Sequence, residues 1–345
     1  MSLRSILMTY KINAFLKKYQ KKKSFDENAS EFYSLPVDSS LNLVDSYYFT
    51  GHSKDGQSVI VRLGERSSGN NEVWFAYRDA LDNDYICAHQ ILENQSLIEK
   101  TCLQAGKKWK IQYSGGVIPG NKTPVNIWKS LKGTRIIPTV FEGEFTAIND
   151  IYEYSKHSEP LTIAKALSLQ EWNKNDFESF LNGLPIIYEQ AGKIQGVFNF
   201  GGKKTEIDML ALRRRTSGVR DLSKIKRQLA FNILTENSQA ISLHFIDSLA
   251  GNFQVGFITS NEGNVSLDSV NIDELPIDII PNNFKFLAQF KNGKKLVIKC
   301  EKETEFEFSY DDDNYKIIES VTRFDINGTK ARGIIRLGYN ISLNR

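Results

Sequence analysis

Four arginines fall within eight residues in Arg213-Arg-Arg-Thr-Ser-Gly-Val-Arg-Asp221, at the end of an apolar run and shortly after Tyr188-Glu189-Gln190. A guanidinium is a rigid, permanently charged fork that holds a carboxylate, a phosphate or an enolate through two parallel hydrogen bonds. In an extended chain neighbouring side chains take opposite faces, so Arg220 and Asp221 point apart and one can face a cavity while the other holds the loop. A second reading stays open beside this one. The same arginines could form an ion-pair lattice with Glu189, Glu206, Asp208 and Asp221 that staples two strands together. Other chemistry lacks support. The chain has no phosphate-binding glycine loop, no His-Glu-x-x-His, no Cys-x-x-Cys and no Gly-x-Ser-x-Gly elbow. His52, His89, His157 and His244 are scattered without metal-ligand spacing. No cofactor and no metal is implied.

The elements that must position these residues read as strands. Short alternating runs rich in aromatic and β-branched residues recur at 46–51, 58–63, 72–78, 109–114 and 141–149. They resume at 184–190, 193–200, 205–212, 225–235, 239–247, 253–259 and onward to 331–339. Turns are expected at Lys54-Asp-Gly-Gln57, Gln190-Ala-Gly192, Gly201-Gly202, 261–263, Lys291-Asn-Gly293, 311–314 and Ile326-Asn-Gly328. Between the two blocks, 161–172 prefers helix or linker and 173–181 a short helix. The expected fold is therefore all-β, two antiparallel barrels or sandwiches side by side, since closure removes sheet edges. The expected boundaries are a leader at 1–29, a first β-domain at 30–155, a helical linker at 156–183 and a second β-domain at 184–345.

Composition narrows the partners. The 345 residues carry 44 Lys and Arg against 41 Asp and Glu, a net charge of +3. Residues 1–23 hold seven of the basic residues and no acid, so the remainder is net −4. Nucleic acid is therefore a poor partner for the body. The leader's Leu3, Ile6, Leu7, Tyr10, Ala14 and Leu16 roughly follow helical spacing. A basic amphipathic helix can lie on an anionic membrane, act as a targeting segment or pack on its own domain. No apolar run spans a bilayer and no secretory signal is recognised, so a cytoplasmic protein is expected, with peripheral membrane contact through residues 1–23 as the open alternative. Cys87, Cys102 and Cys300 cannot form a disulfide framework.

At the arginine run the sequence resembles the second half of a two-domain lipocalin-like family that includes carotenoid 1,2-hydratase (hydroxyneurosporene synthase). Tyr188-Glu189-Gln190, Gly192, Gly196, Arg213, Arg215, Gly218, Arg220 and Asp221 match, and Thr216 stands for a serine. Arg214 replaces an acid, and Ser217 and Leu222 replace two tryptophans. Tyr47-Tyr-Phe-Thr-Gly51, Trp74 and Trp109-x-Ile-x-Tyr-x-Gly115 fit the first half. The resemblance implies two packed lipocalin-like domains that handle hydrophobic, often polyene, molecules. Asp221 and Glu189 would then be the catalytic acids, with a pKa raised by burial. Arg213, Arg215, Arg220 and Tyr188 would hold the ligand. Loss of the acid and both tryptophans removes the faces that stabilise a cation. Binding of a hydrophobic or amphipathic small molecule is therefore expected ahead of hydratase or cyclase chemistry.

Overall fold

Alternating β-branched and aromatic residues, cut by Gly and Asn turns, give strands wherever one face can be buried. The computed structural model describes residues 3–22, 26, 30–31, 35, 42–93, 95–121, 135–260, 263–272, 278–310 and 314–343. Within the described residues the first sheet comprises β1 (Leu43–His52), β2 (Ser58–Arg66), β3 (Asn70–Arg78), β4 (Asp84–Cys87), β5 (Ile91–Glu93), β6 (Ile98–Gln104), β7 (Lys108–Pro119), β8 (Ile137–Ala147), β9 (Tyr152–Glu153), β10 (Ile186–Phe200) and β11 (Lys203–Val219). The path β11-β1-β2-β3-β4-β7-β8-β10 closes where β10 pairs with β11, while β5, β6 and β9 pair alongside it. The second barrel is β12 (Ile225–Thr235), β13 (Ala240–Ser248), β14 (Gly251–Ser260), β15 (Gly263–Asn271), β16 (Asn283–Phe290), β17 (Lys295–Ser309), β18 (Tyr315–Ile326) and β19 (Thr329–Asn340). Each strand pairs with the next and β19 returns to β12. The all-β, two-barrel expectation is met.

The domain boundary is not where the sequence placed it. β10 and β11, expected in a second domain starting at 184, close the first barrel through β8 and β1. The barrels meet instead at the short connection after Val219. The helices α2 (Tyr154–His157), α3 (Pro160–Leu167) and α4 (Lys174–Asn182) do fill the expected linker. They are an excursion within the first barrel, between β9 and β10. The physical reason is closure: without β10 and β11 the ring through β1 and β8 stays open and leaves two unpaired edges. The turn expected at Gln190-Ala-Gly192 is absent, because β10 runs straight through it. Gly192 serves close packing, since a Cβ there would lie 2.5 Å from the Phe145 ring. Residues 261–262 and 311–313 of two other expected turns lie outside the described residues.

Burial shows how the barrels sit. In β8 buried and more exposed residues alternate, as in a strand with one wet face. Every residue of β1 is buried. One face of β1 looks into its own barrel and the other packs on the second barrel. Leu229, Phe231, Ile233, Ile241, Leu243 and Phe245 fill the second barrel's interior. Its outward-facing Phe306, Phe308, Ile317 and Ile334 join the first barrel's hydrophobic cluster instead. The two barrels thus pack wall to wall, sharing a seam.

The leader forms α1 (Leu3–Lys22) and packs on the body. Thr9 Oγ1 donates to Ser168 Oγ (2.9 Å) and Tyr19 OH to the Leu181 carbonyl (3.0 Å). No helix among the described residues is long and apolar enough to cross a membrane.

Candidate functional site

Strand alternation divides the arginine run. Arg213 and Arg215 turn into the first barrel, while Arg214 faces the seam. In register across β10, β11, β1, β2 and β3, the seam row is Glu189, Arg214, Tyr48, Arg62 and Trp74.

Inside the first barrel, Arg213 binds Glu31 through Nη2 (2.6 Å) and Nη1 (3.2 Å), and its Nε donates to Gln190 Oε1 (2.9 Å). The guanidinium lies 5.5–5.7 Å from the rings of Trp109, Phe145 and Tyr188. Arg215 holds Asp45 with two 3.0 Å bonds and sits 4.5 Å from the Tyr47 ring. Each buried cation here has a carboxylate, as burial of charge requires.

The seam carries three clusters. In the first, Arg214 Nε donates to Glu189 Oε1 (2.5 Å) and Tyr154 OH to Glu189 Oε2 (2.7 Å). Ser242 Oγ also donates to Glu189, and His244 Nε2 lies 3.3 Å away from it. Burial alone would raise the Glu189 carboxyl; the charge of Arg214, then His244 and the hydrogen bonds, outweigh it and hold it well below the usual carboxylate range. Burial pushes His244 below its ordinary value, with Glu189 pulling the other way. In the second cluster Tyr48 OH donates to Glu319 (2.7 Å), and Arg336 Nε donates to the other oxygen (2.6 Å).

In the third, Glu72 accepts from Arg62 and Arg66 at 2.5 Å each, with Arg220 4.0 Å away. Arg62 lies over Trp74 (4.3 Å) and Arg220 over Tyr310 (3.8 Å). Burial would raise Glu72, but the charges of Arg62, Arg66 and Arg220 hold it at about 2. Burial would likewise raise Tyr310; Arg220, Arg62 and Arg336 outweigh it and lower the phenol. Gly64 gives this cluster its room, since a Cβ there would lie 2.6 Å from both Arg62 Nη2 and Glu72 Oε2. Gly64→Ala should therefore cost about 1–3 kcal/mol in denaturant unfolding. A variant as stable as wild type would show that the pair relaxes freely.

The residues expected to share one site do not. Tyr188, Arg213 and Arg215 lie inside the first barrel, and Glu189 and Arg220 lie in separate parts of the seam. Asp221 is no buried acid: its side chain is 38% exposed, accepts from Ser223 N (3.0 Å) and lies 3.7 Å from Lys224. It sits on the connection between barrels, where water solvates it. The pKa expectation for Glu189 is reversed, because the neighbouring Arg214 holds it ionised. The ion-pair lattice exists, with Glu189 as expected and with Glu31, Asp45 and Glu72 in place of Glu206, Asp208 and Asp221. Glu206 and Asp208 instead line an open groove of about 1210 Å³ between the barrels, amid charges of both signs. Sequence reasoning missed His244, Ser242, Glu319, Arg336 and Tyr310. Their signal was a polar residue alternating with a continuous apolar face, as in Ile241-Ser-Leu-His-Phe245.

A second concave region joins an apolar patch to a polar rim. Where α3 meets the second barrel, a recess of about 540 Å³ is lined by Ala166, Leu169, Leu229, Phe245, Val270 and Ile272, among others. Thr162 Oγ1 donates to the Leu267 carbonyl (2.9 Å), fixing α3 against β15, and Gln170 Nε2, just past the helix, donates to the Asn252 carbonyl of β14 (2.6 Å). Two ion-pair groups lie at the recess. Arg227 meets Asp247 at 3.3 Å, and Asp268 meets Lys291 at 2.9 Å and Lys165 at 3.6 Å.

Comparison with solved structures shows the same two-barrel architecture elsewhere. A provisionally named AttH protein of Nitrosomonas europaea aligns with a TM-score of 0.53 at 10% identity, over 92% of this chain and 97% of that one. Kievitone hydratase of Nectria haematococca aligns with a TM-score of 0.45 at 11% identity, over 92% of this chain and 96% of that one. At 10% identity the likeness to the Nitrosomonas protein is one of fold. No curated protein matches the sequence. The model of the family of unknown function DUF8627 matches residues 2–322, and the chain belongs to that family.

Proposed function

We propose that this protein binds a small hydrophobic or amphipathic molecule in the recess between α3 and the second barrel. The observation that carries the reading is the apolar lining of a roughly 540 Å³ space, within the size range of small-molecule sites. Its floor uses Leu229 and Phe245, residues that belong to the barrel's apolar interior. The charged pairs suit a ligand with an apolar body and one polar end. The resemblance to the carotenoid-hydratase family points to the same ligand class.

Acid-catalysed hydration or cyclisation is the lesser reading. It needs a protonated acid beside the ligand. Glu189 and Glu72 are held ionised, and hydrogen bonding to Lys291 lowers the Asp268 carboxyl below its ordinary value despite partial burial.

The test is occupancy. Anilinonaphthalene sulfonate, an apolar fluorophore with one anionic end, should brighten on the folded protein. Val270→Trp, which fills the recess from a partly exposed position, should weaken that binding at least about tenfold and leave the melting temperature unchanged. Equal binding by wild type and the folded variant would move the ligand site elsewhere.

A further inference from the structure

Helix α1 turns one mixed face to the body and carries an apolar stripe on another. Ser5, Thr9, Ile12 and Leu16 are buried against the body. Leu3, Ile6, Leu7 and Tyr10 recur at the same helical spacing on another face and are exposed, Leu3 at 75% and Tyr10 at 72%. The hydrogen bonds from Thr9 and Tyr19, and one from Gln20 Nε2 to the Ser158 carbonyl (2.6 Å), fix which face looks outward. Four large apolar side chains aligned on one solvent-facing stripe exceed the scattered exposure of an ordinary surface.

Charge selects the occupant. Arg4, Lys11, Lys17, Lys18, Lys21 and Lys22 are all exposed, and α1 contains no acid. By helical projection Lys17 and Lys21 continue the apolar stripe, while Arg4, Lys11 and Lys18 flank it. We infer that α1 docks the protein on an anionic membrane surface. Leu3, Ile6, Leu7 and Tyr10 enter the boundary between headgroups and acyl chains, and the lysines meet the headgroups. The net −4 remainder is repelled by such a surface, so attraction has to come from this helix. A second copy suits the face poorly, because a two-fold contact brings identical cations together. The inference rests on α1 alone and stands apart from the ligand recess.

Flotation of the full chain with phosphatidylcholine vesicles, with and without phosphatidylserine, tests it. Wild type should float with the phosphatidylserine vesicles, float poorly with phosphatidylcholine alone, and be released as salt screens the lysines. The double variant L7E/Y10E should partition at least about tenfold less. Both positions are exposed, so its melting temperature should stay at the wild-type value. If that variant is misfolded, K17E/K21E replaces it and should show the same loss. The inference is overturned if wild type fails to float with anionic vesicles, or if folded variants float as wild type does. A dimer in solution whose assembly depends on Leu7 and Tyr10 would also overturn it.

Discussion

Replacing Glu72 by glutamine is expected to destabilise the protein by about 3–5 kcal/mol in denaturant unfolding. Glu72 is fully buried and is the carboxylate on which Arg62, Arg66 and Arg220 converge. Glutamine keeps the shape and one acceptor but removes the charge, leaving buried guanidiniums uncompensated. The effect also has a pH signature. The folded pKa lies near 2 against an ordinary 4.5. The unfolded state therefore takes up the proton first on acidification. The stabilisation is complete above about pH 4.5 and is lost as pH falls through the folded value, a change of about 3 kcal/mol. The gap between wild type and E72Q should narrow as pH is lowered from 5 towards 3. A gap that stays constant over that interval would mean that the carboxylate is not held by its arginines.

Glu189→Ala should cost a similar amount, about 3–5 kcal/mol, by a different route. The carboxylate joins β10 of the first barrel to Ser242 and His244 of the second. Its loss strands Arg214, which is 6% exposed, and removes the acceptor of Tyr154. The double variant E189M/R214M is the control. It removes both charges, so its loss should be smaller than that of E189A alone. A double variant less stable than the single would falsify the paired-charge account. It would show instead that packing around the two side chains dominates. Losses of this size would identify the seam as a structural joint first. The ligand recess proposed above lies apart from it, where α3 meets the second barrel.

The strand content and the pair of barrels were legible in the sequence because alternation with period two is a local signal. α3 and α4 were legible from local signals too, whereas α2 was not expected. Pro160 sits in the first turn of α3, and Asn173 caps α4 by accepting from Asn175 N (2.8 Å). The barrel boundary was not legible. Closure is a long-range event, settled by which strand β11 pairs with, and β1 lies some 170 residues before it. Gly192 illustrates the same limit at one residue. A turn and a close approach both call for glycine, and the Phe145 ring that decides between them arrives from β8.

The arginine run shows where local reading stops. By itself the sequence placed the arginines at the end of an apolar run; that Arg213 and Arg215 share one face and Arg214 takes the other follows only because β11 runs on through them to Val219. The sequence also determined that a basic helix precedes a net acidic body, because charge is additive along the chain. Tertiary structure alone decided which carboxylate each guanidinium meets. Glu31 and Asp45 reach Arg213 and Arg215 from the far end of the chain, Glu72 collects Arg220, and Asp221 is left to water. A buried charge is stable only beside its counter-charge. Which counter-charge that is depends on how two barrels close and pack, and strand order rather than sequence spacing sets that.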